Sequence, residues 1–81
     1  MVLKKNLALS ETGFLFNPGN GDSFSLNPIA LEVVEMLKAG KDEAAIHAAL
    51  LTAYAVDADT LEKDLYDFLN RLRQYKLLHE A

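Results

Sequence analysis

The sequence predicts an α+β domain: a three-stranded antiparallel sheet followed by three helices. Three observations predict it. Up to Leu26 the chain alternates and turns, as short strands do, with breaks at Ser10-Glu11-Thr12-Gly13 and Asn17-Pro18-Gly19-Asn20-Gly21-Asp22. From Pro28 onward the apolar residues recur at three- and four-residue intervals. Between the two regimes stands Asn27-Pro28. An asparagine side chain can accept a bond from an early helical amide, and proline suits the first helical position because its missing N–H costs nothing there.

The strands come first. Leu7 and Leu9 alternate with Ala8 and Ser10, which makes a weak first strand beginning near Leu3. Phe14-Leu15-Phe16 is aromatic and apolar, a second strand. Ser23-Phe24-Ser25-Leu26 alternates polar and apolar, so the third strand buries one face and wets the other. A two-residue turn at Asn20-Gly21 would set Phe16 opposite Ser25. A three-residue loop, 19–21, sets Phe16 opposite Phe24 and Phe14 opposite Leu26, and gathers all four large side chains on one face. The three-residue loop is therefore expected, with Gly21 in the left-handed conformation it requires.

Helix one is expected from Pro28 to about Lys38, with Ile29, Val33, Val34 and Leu37 as its apolar stripe and Gly40 ending it. Helix two runs from about Glu43 to Tyr54, capped by Asp42, with Ile46, Ala49, Leu50 and Tyr54 inward. Asp57 or Asp59 caps helix three, and Asp59 with Glu62 has capping-box spacing. That helix runs to about Tyr75 on a stripe of Leu61, Leu65, Phe68, Leu72 and Tyr75, with Asp67 and Arg71 as a supporting i, i+4 pair. Leu77-Leu78 tucks back onto the core, and His79-Glu80-Ala81 is expected to fray. Three strands followed by three helices is a winged-helix-like order.

Composition bounds the function. Eighty-one residues make one domain, 1–81, that buries only roughly 60% of its unfolded surface. Apolar residues are 51%, ample for a globular core. There is no cysteine, hence no disulfide framework and no thiolate metal site, which fits a reducing, cytoplasmic setting. No run approaches the roughly 20 apolar residues of a membrane span, and the lysines at the start are not followed by the apolar run of a secretory signal. The net charge of −4 argues against a nucleic-acid partner, since phosphate binding needs clustered cations.

No catalytic constellation is present. His47 has no second ligand at metal spacing and reads as structural or exposed. Asp57 and Asp59 are explained as caps, and Glu62 and Asp67 fall on solvated faces. Ser10 and Thr12 lack a base and read as turn formers. Gly19-Asn20-Gly21 is no phosphate loop, because no lysine or helix follows it directly. The sequence therefore predicts no enzyme, no metal and no cofactor.

One strip reads either as a helix border with ordinary solvated charges or as one wall of a peptide groove. Asp64 and Arg71 project close together on the helical wheel, along a border of the apolar stripe, with Phe68 and Tyr75 between that border and the core. If strand three is a sheet edge, its unpaired N–H and C=O groups could accept an extended peptide as a fourth strand, with helix three supplying side-chain pockets.

The frame Gly13-Phe14-Leu15-Phe16-Asn17, Gly21-Asp22, Phe24-Ser25-Leu26-Asn27-Pro28, Leu37-Lys38-Ala39-Gly40-Lys41, and Asp64-Leu65-Tyr66-Asp67-Phe68-Leu69 with Leu72 and Leu77-Leu78 resembles the PqqD-like family. These are peptide-binding recognition elements of pathways that modify ribosomally made peptides, as in pyrroloquinoline quinone (PQQ) biosynthesis. The resemblance implies a winged-helix-like fold. It implies a precursor leader peptide docked as an added strand, and presentation of that precursor to a modifying enzyme, often one using radical S-adenosylmethionine chemistry. By position it carries the peptide-binding role to Ser23, Phe24, Ser25 and Leu26 on the strand, and to Asp64, Leu65, Phe68, Arg71 and Leu72 on the helix. It implies no catalysis. The sheet turn and helix two match the quinone-pathway protein less closely, so the class is better supported than the product.

Two alternatives stand beside this reading. A DNA-binding winged helix would use helix three for recognition, but that stretch holds Lys63, Arg71, Arg73 and Lys76 against Asp57, Asp59, Glu62, Asp64 and Asp67. A structural dimerisation module would pair the exposed strand edge with its own copy, giving a homodimer.

Overall fold

The structure, a computed structural model, describes residues 1–80. In chain order the elements are β1 (Val2–Leu3), β2 (Ala8–Leu9), β3 (Phe14–Asn17), β4 (Asp22–Ser25), α1 (Pro28–Lys38), α2 (Glu43–Ala53), α3 (Ala58–Gln74) and β5 (Leu78–His79). The expected α+β fold is present, with the antiparallel sheet ordered β2-β3-β4 ahead of three helices. A second, two-stranded sheet, β1-β5, joins the two ends of the chain.

That second sheet corrects two expectations. The weak first strand is two separate strands, because a turn at Lys5 and Asn6 lets Leu3 and Leu7 both reach the core. His79 is not frayed: it pairs with Val2 while Leu78 pairs with Leu3. Arg73 holds Glu80 by a 3.0 Å ion pair, and the N-terminal amine lies 3.7 Å from the same carboxylate. Ala81 lies outside the described residues. Pairing between the chain's two ends has no local signal, so periodicity could not reveal it.

The hairpin register is also corrected. Leu15 pairs with Phe24, Phe14 with Ser25, Phe16 with Ser23 and Asn17 with Asp22. The connection is the four residues 18–21, not 19–21. Leu15 is 1% exposed and faces the core, whereas Phe14 and Phe16 are 54% and 41% exposed on the outer face. The physical reason is Asn17, which turns inward beneath the loop and is buried. Its Oδ1 accepts the Gly19 N–H at 3.0 Å, and its carbonyl accepts the Gly21 N–H at 2.8 Å. Those bonds satisfy a buried polar group and set the loop one residue longer. The one-residue slip then turns β3 over. Gly21 has the expected positive φ, +80°.

Gly13 fixes the other end of the hairpin. The Leu26 N–H bonds to the Gly13 carbonyl at 2.7 Å. A Cβ on Gly13 would stand 2.8 Å from the Leu26 carbonyl oxygen, and its φ is +97°, so the close approach requires glycine.

The helices form where expected, with adjusted faces. Asn27 Oδ1 accepts the Ala30 N–H at 2.8 Å, and Asp42 Oδ1 accepts that of Ala45 at 2.8 Å. Helix α1 buries Val33, Val34 and Leu37 but leaves Ile29 exposed. It ends with Gly40 N–H on the Leu37 carbonyl and Lys41 N–H on that of Met36, both at 3.0 Å. Helix α2 buries Ile46 and Leu50, while Ala49 faces out. It stops at Ala53, and the Tyr54 hydroxyl donates to Glu32 at 2.6 Å, tying α2 back to α1. That bond, with burial and the carboxylate's charge, raises the phenol above its ordinary range.

Asp57, not Asp59, caps α3; its carboxylate accepts the Thr60 N–H at 2.9 Å and the Thr60 hydroxyl at 3.0 Å. Asp59 sits in the first turn, so the Asp59–Glu62 capping box does not form. The buried residues of α3 are Leu61, Leu65, Leu69 and Leu72. Leu69 takes the place expected for Tyr75, which is exposed, and Phe68 is half-buried. The core therefore lies about a tenth of a turn from where the four-three repeat centred it. This leaves the two aromatics on the border rather than inside.

Candidate functional site

In the sheet order β2-β3-β4, strand β4 is an edge, hydrogen-bonded on one side to β3 and on the other to no strand among the described residues. Bonded and non-bonded pairs alternate along an antiparallel ladder. The bond from Leu26 N–H to Gly13 fixes the phase, so Phe24 exchanges its bonds with Leu15. Ser23 and Ser25 are therefore the residues that turn their N–H and C=O groups to the open side. Both are exposed, and their small side chains leave the edge clear.

The C-terminal end of α3 packs against this strand. The Phe24 ring, on the inner side of β4, stands 4.8 Å from the Tyr75 ring. Farther along, a cavity of about 270 Å³ opens between the start of α1 and the first half of α3. Ile29, Leu61, Leu65 and Phe68 supply apolar lining, and Asn27 and Asp64 polar groups. Residue 24 thus meets residue 75, while residues 27 and 29 meet residues 61–68. Strand β4 and helix α3 run in opposite directions.

Asp64, Phe68, Arg71 and Tyr75 follow one another at spacings of four, three and four, hence along one face of α3. Among the described residues the ion pairs are Met1–Glu80 and Arg73–Glu80, so Asp64 and Arg71 both lie outside them. Both are exposed.

The residues singled out from the sequence fall into two groups. Ser23, Phe24, Ser25 and Leu26 form or continue the edge, and Asp64, Leu65 and Phe68 line the cavity. Arg71 lies on the same face of α3 as Asp64 and Phe68. Leu72 is core, packed behind that face. Two contributors were not anticipated: Tyr75 as the partner of Phe24, and the first turn of α1, where Ile29 lines the cavity. An apolar residue directly after Asn27-Pro28, left exposed at the start of a helix, was the available signal.

His47 bonds through Nε2 to the Ala58 carbonyl at 3.1 Å, joining α2 to the first turn of α3. Among the described residues no group of three or more histidine, cysteine or carboxylate side chains could hold a metal ion. No helix among them is long and apolar enough to cross a membrane.

These features define a class: a small α+β domain that offers an open strand edge beside a helix bearing aromatic and charged side chains. The chain matches the family described as coenzyme PQQ synthesis protein D (PqqD) over residues 12–78, and it belongs to that family. The match contains β3, β4 and all three helices. A solved structure, described as TbiB1 in complex with the TbiA(beta) leader peptide, is similar over 100% of this chain and 98% of that one. Its TM-score is 0.89, at 28% sequence identity. Among curated proteins nothing matches.

Proposed function

We propose that this chain is a non-catalytic peptide chaperone. It binds the leader of a ribosomally made precursor by strand addition at β4 and presents it to a modifying enzyme of the radical S-adenosylmethionine type, as in PQQ-type biosynthesis. The observation that carries this reading is the open edge of β4, with Ser23 and Ser25 turned outward, beside a helix whose end packs Tyr75 on Phe24 and whose Phe68 lines a cavity with the start of α1. Family membership and the similarity to a protein solved with a leader peptide support it.

The physics follows from that geometry. A guest strand bonds to the main-chain groups of Ser23 and Ser25, each bond giving a net of about 0.5–1.5 kcal/mol. Those bonds are indifferent to sequence. Its inward-facing side chains meet α3 and the apolar cavity, and they supply selectivity. A leader that is disordered when free spends part of this energy on ordering, so moderate affinity is expected and suits a chaperone that must hand its cargo on. No residue of this chain is asked to make or break a bond; the chemistry belongs to the partner enzyme, in the cytoplasm where the precursor is made.

Isotope-edited NMR titration with the leader encoded beside this gene tests the reading. Shifts concentrated on β4 and α3 are expected. Arg71→Ala and Phe68→Ala should weaken binding more than Lys41→Ala, since Lys41 follows the far end of α1. Absence of shifts on β4 with the leader, both with and without the neighbouring enzyme, overturns it.

A further inference from the structure

The α3 face that carries Phe68 and Tyr75 is chemically polar along its length, and this bears on which peptides could dock beside β4. Asp64 borders the cavity at the α1 end, whereas Arg71 lies two turns on, between Phe68 and Tyr75. Neither charge belongs to the described ion pairs. Arg73, by contrast, is occupied, with its guanidinium bonded to Glu80 at 3.0 Å and Asn70 at 2.9 Å. The α3 face that carries Phe68 and Tyr75 therefore offers one acid and one base outside the described ion pairs, in fixed order.

The strand sets the direction in which a guest meets them. The sheet is antiparallel throughout, and an antiparallel guest continues it with the stronger form of pairing. Strand β4 runs from the Tyr75 end of α3 toward the Asp64 end. A guest antiparallel to β4 therefore runs the other way, its N-terminal part at Asp64 and its C-terminal part toward Arg71 and Tyr75. Seven helical residues at 1.5 Å separate Asp64 from Arg71 by about 10 Å. A strand covers that distance in about three residues, and side chains on one face recur every second residue.

We infer that the β4 edge and α3 select their leader by charge order: an apolar anchor enters first, a lysine or arginine follows two residues later on the same face, and an aspartate or glutamate two or four residues after that. The anchor fills the cavity lined by Ile29, Leu61 and Phe68, the base next on the same face meets Asp64, and the acid meets Arg71. The inference rests on strand addition at β4 and goes beyond it by naming the chemistry and the direction of the guest. Complementary charges fix register and reject wrong partners, while an added strand by itself does neither.

The test uses two capped ten-residue peptides of identical composition. One carries Leu-Ala-Lys-Ala-Glu, the other Leu-Ala-Glu-Ala-Lys, each between the same flanking residues. The wild-type protein should bind the first several-fold more tightly. The double variant Asp64→Lys, Arg71→Glu should invert that preference and lose about tenfold in affinity for the leader encoded beside the gene. Both positions are exposed, so the variant should keep the wild-type circular dichroism. Equal binding of the two orders, or of neither, overturns charge selection. So does a leader affinity unchanged in the double variant. Strand addition is read separately, from the Ser23 and Ser25 amide shifts with the leader: if those persist while charge order has no effect, only the present inference fails.

Discussion

The Phe24 ring stands 4.8 Å from the Tyr75 ring, tilted by 56°, so the open strand is held to the end of the last helix by one aromatic pair. The cavity beside Asp64 lies toward the other end of the same helix. Tilted pairs of this kind contribute about 0.5–1.5 kcal/mol beyond their area. A double-mutant cycle with Phe24→Leu and Tyr75→Leu, read by urea denaturation, should return a coupling of that size. Additive effects would show that the rings do not hold the strand.

The orientation of Ser25 allows the fold and the binding edge to be separated. Its N–H points away from β3, so Ser25→Pro removes a donor that the native ladder does not use. Proline is tolerated on an edge in that position. The variant should keep its unfolding midpoint within a few degrees and lose most of its leader affinity by calorimetric titration. Phe24→Pro, which deletes a ladder bond, should unfold.

The register of β3 predicts an unequal triplet. Leu15→Ala should cost about 3 kcal/mol, because the side chain is fully enclosed. Phe14→Ala, despite removing a larger group, should cost less than about 1 kcal/mol, because about half of it is already wet. Phe16→Ala should fall close to Phe14→Ala. Denaturant midpoints at constant slope decide the order.

Helix α3 ends with Lys76 in the left-handed conformation, φ +61°. Its N–H bonds to the Arg73 carbonyl at 3.0 Å and that of Leu77 to the Leu72 carbonyl at 2.9 Å, the pattern that normally carries glycine at this position. Lys76→Gly should therefore stabilise the domain by about 0.5–1 kcal/mol, seen as a higher thermal midpoint.

The Asp57 cap gives a pH dependence with a definite sign. The bonds from the Thr60 N–H and hydroxyl hold its carboxyl below the ordinary value of 3.8. A depressed folded-state pKa means the contribution is fully present above 3.8. It is lost as pH falls through the lower, folded value. Asp57→Asn keeps an acceptor at the cap but cannot titrate. Urea unfolding at neutral pH and near pH 3 should show the advantage of the wild type over Asp57→Asn shrinking in acid.

Local chemistry was legible wherever the deciding partner lay within a few residues. Asn27, Asp42 and Asp57 cap the helices that the apolar spacing delimited, because a cap bonds an amide three residues on. Gly21 and Gly40 take positive φ where turns and helix ends called for it. The α+β order, and β4 as a strand ahead of the helices, follow from the same short-range rules.

The sequence by itself determined the three helices and the strands β3 and β4, because propensity, capping and periodicity act over one or two turns. The tertiary structure alone decided which face of β3 is buried, that β1 and β5 close the chain's ends together, and that the Phe24 ring of β4 packs on Tyr75 at the end of α3. Those outcomes depend on what a buried Asn17 can bond to and on how α3 rolls to enclose Leu69. Contacts between residues distant along the chain form only once the core has closed around them.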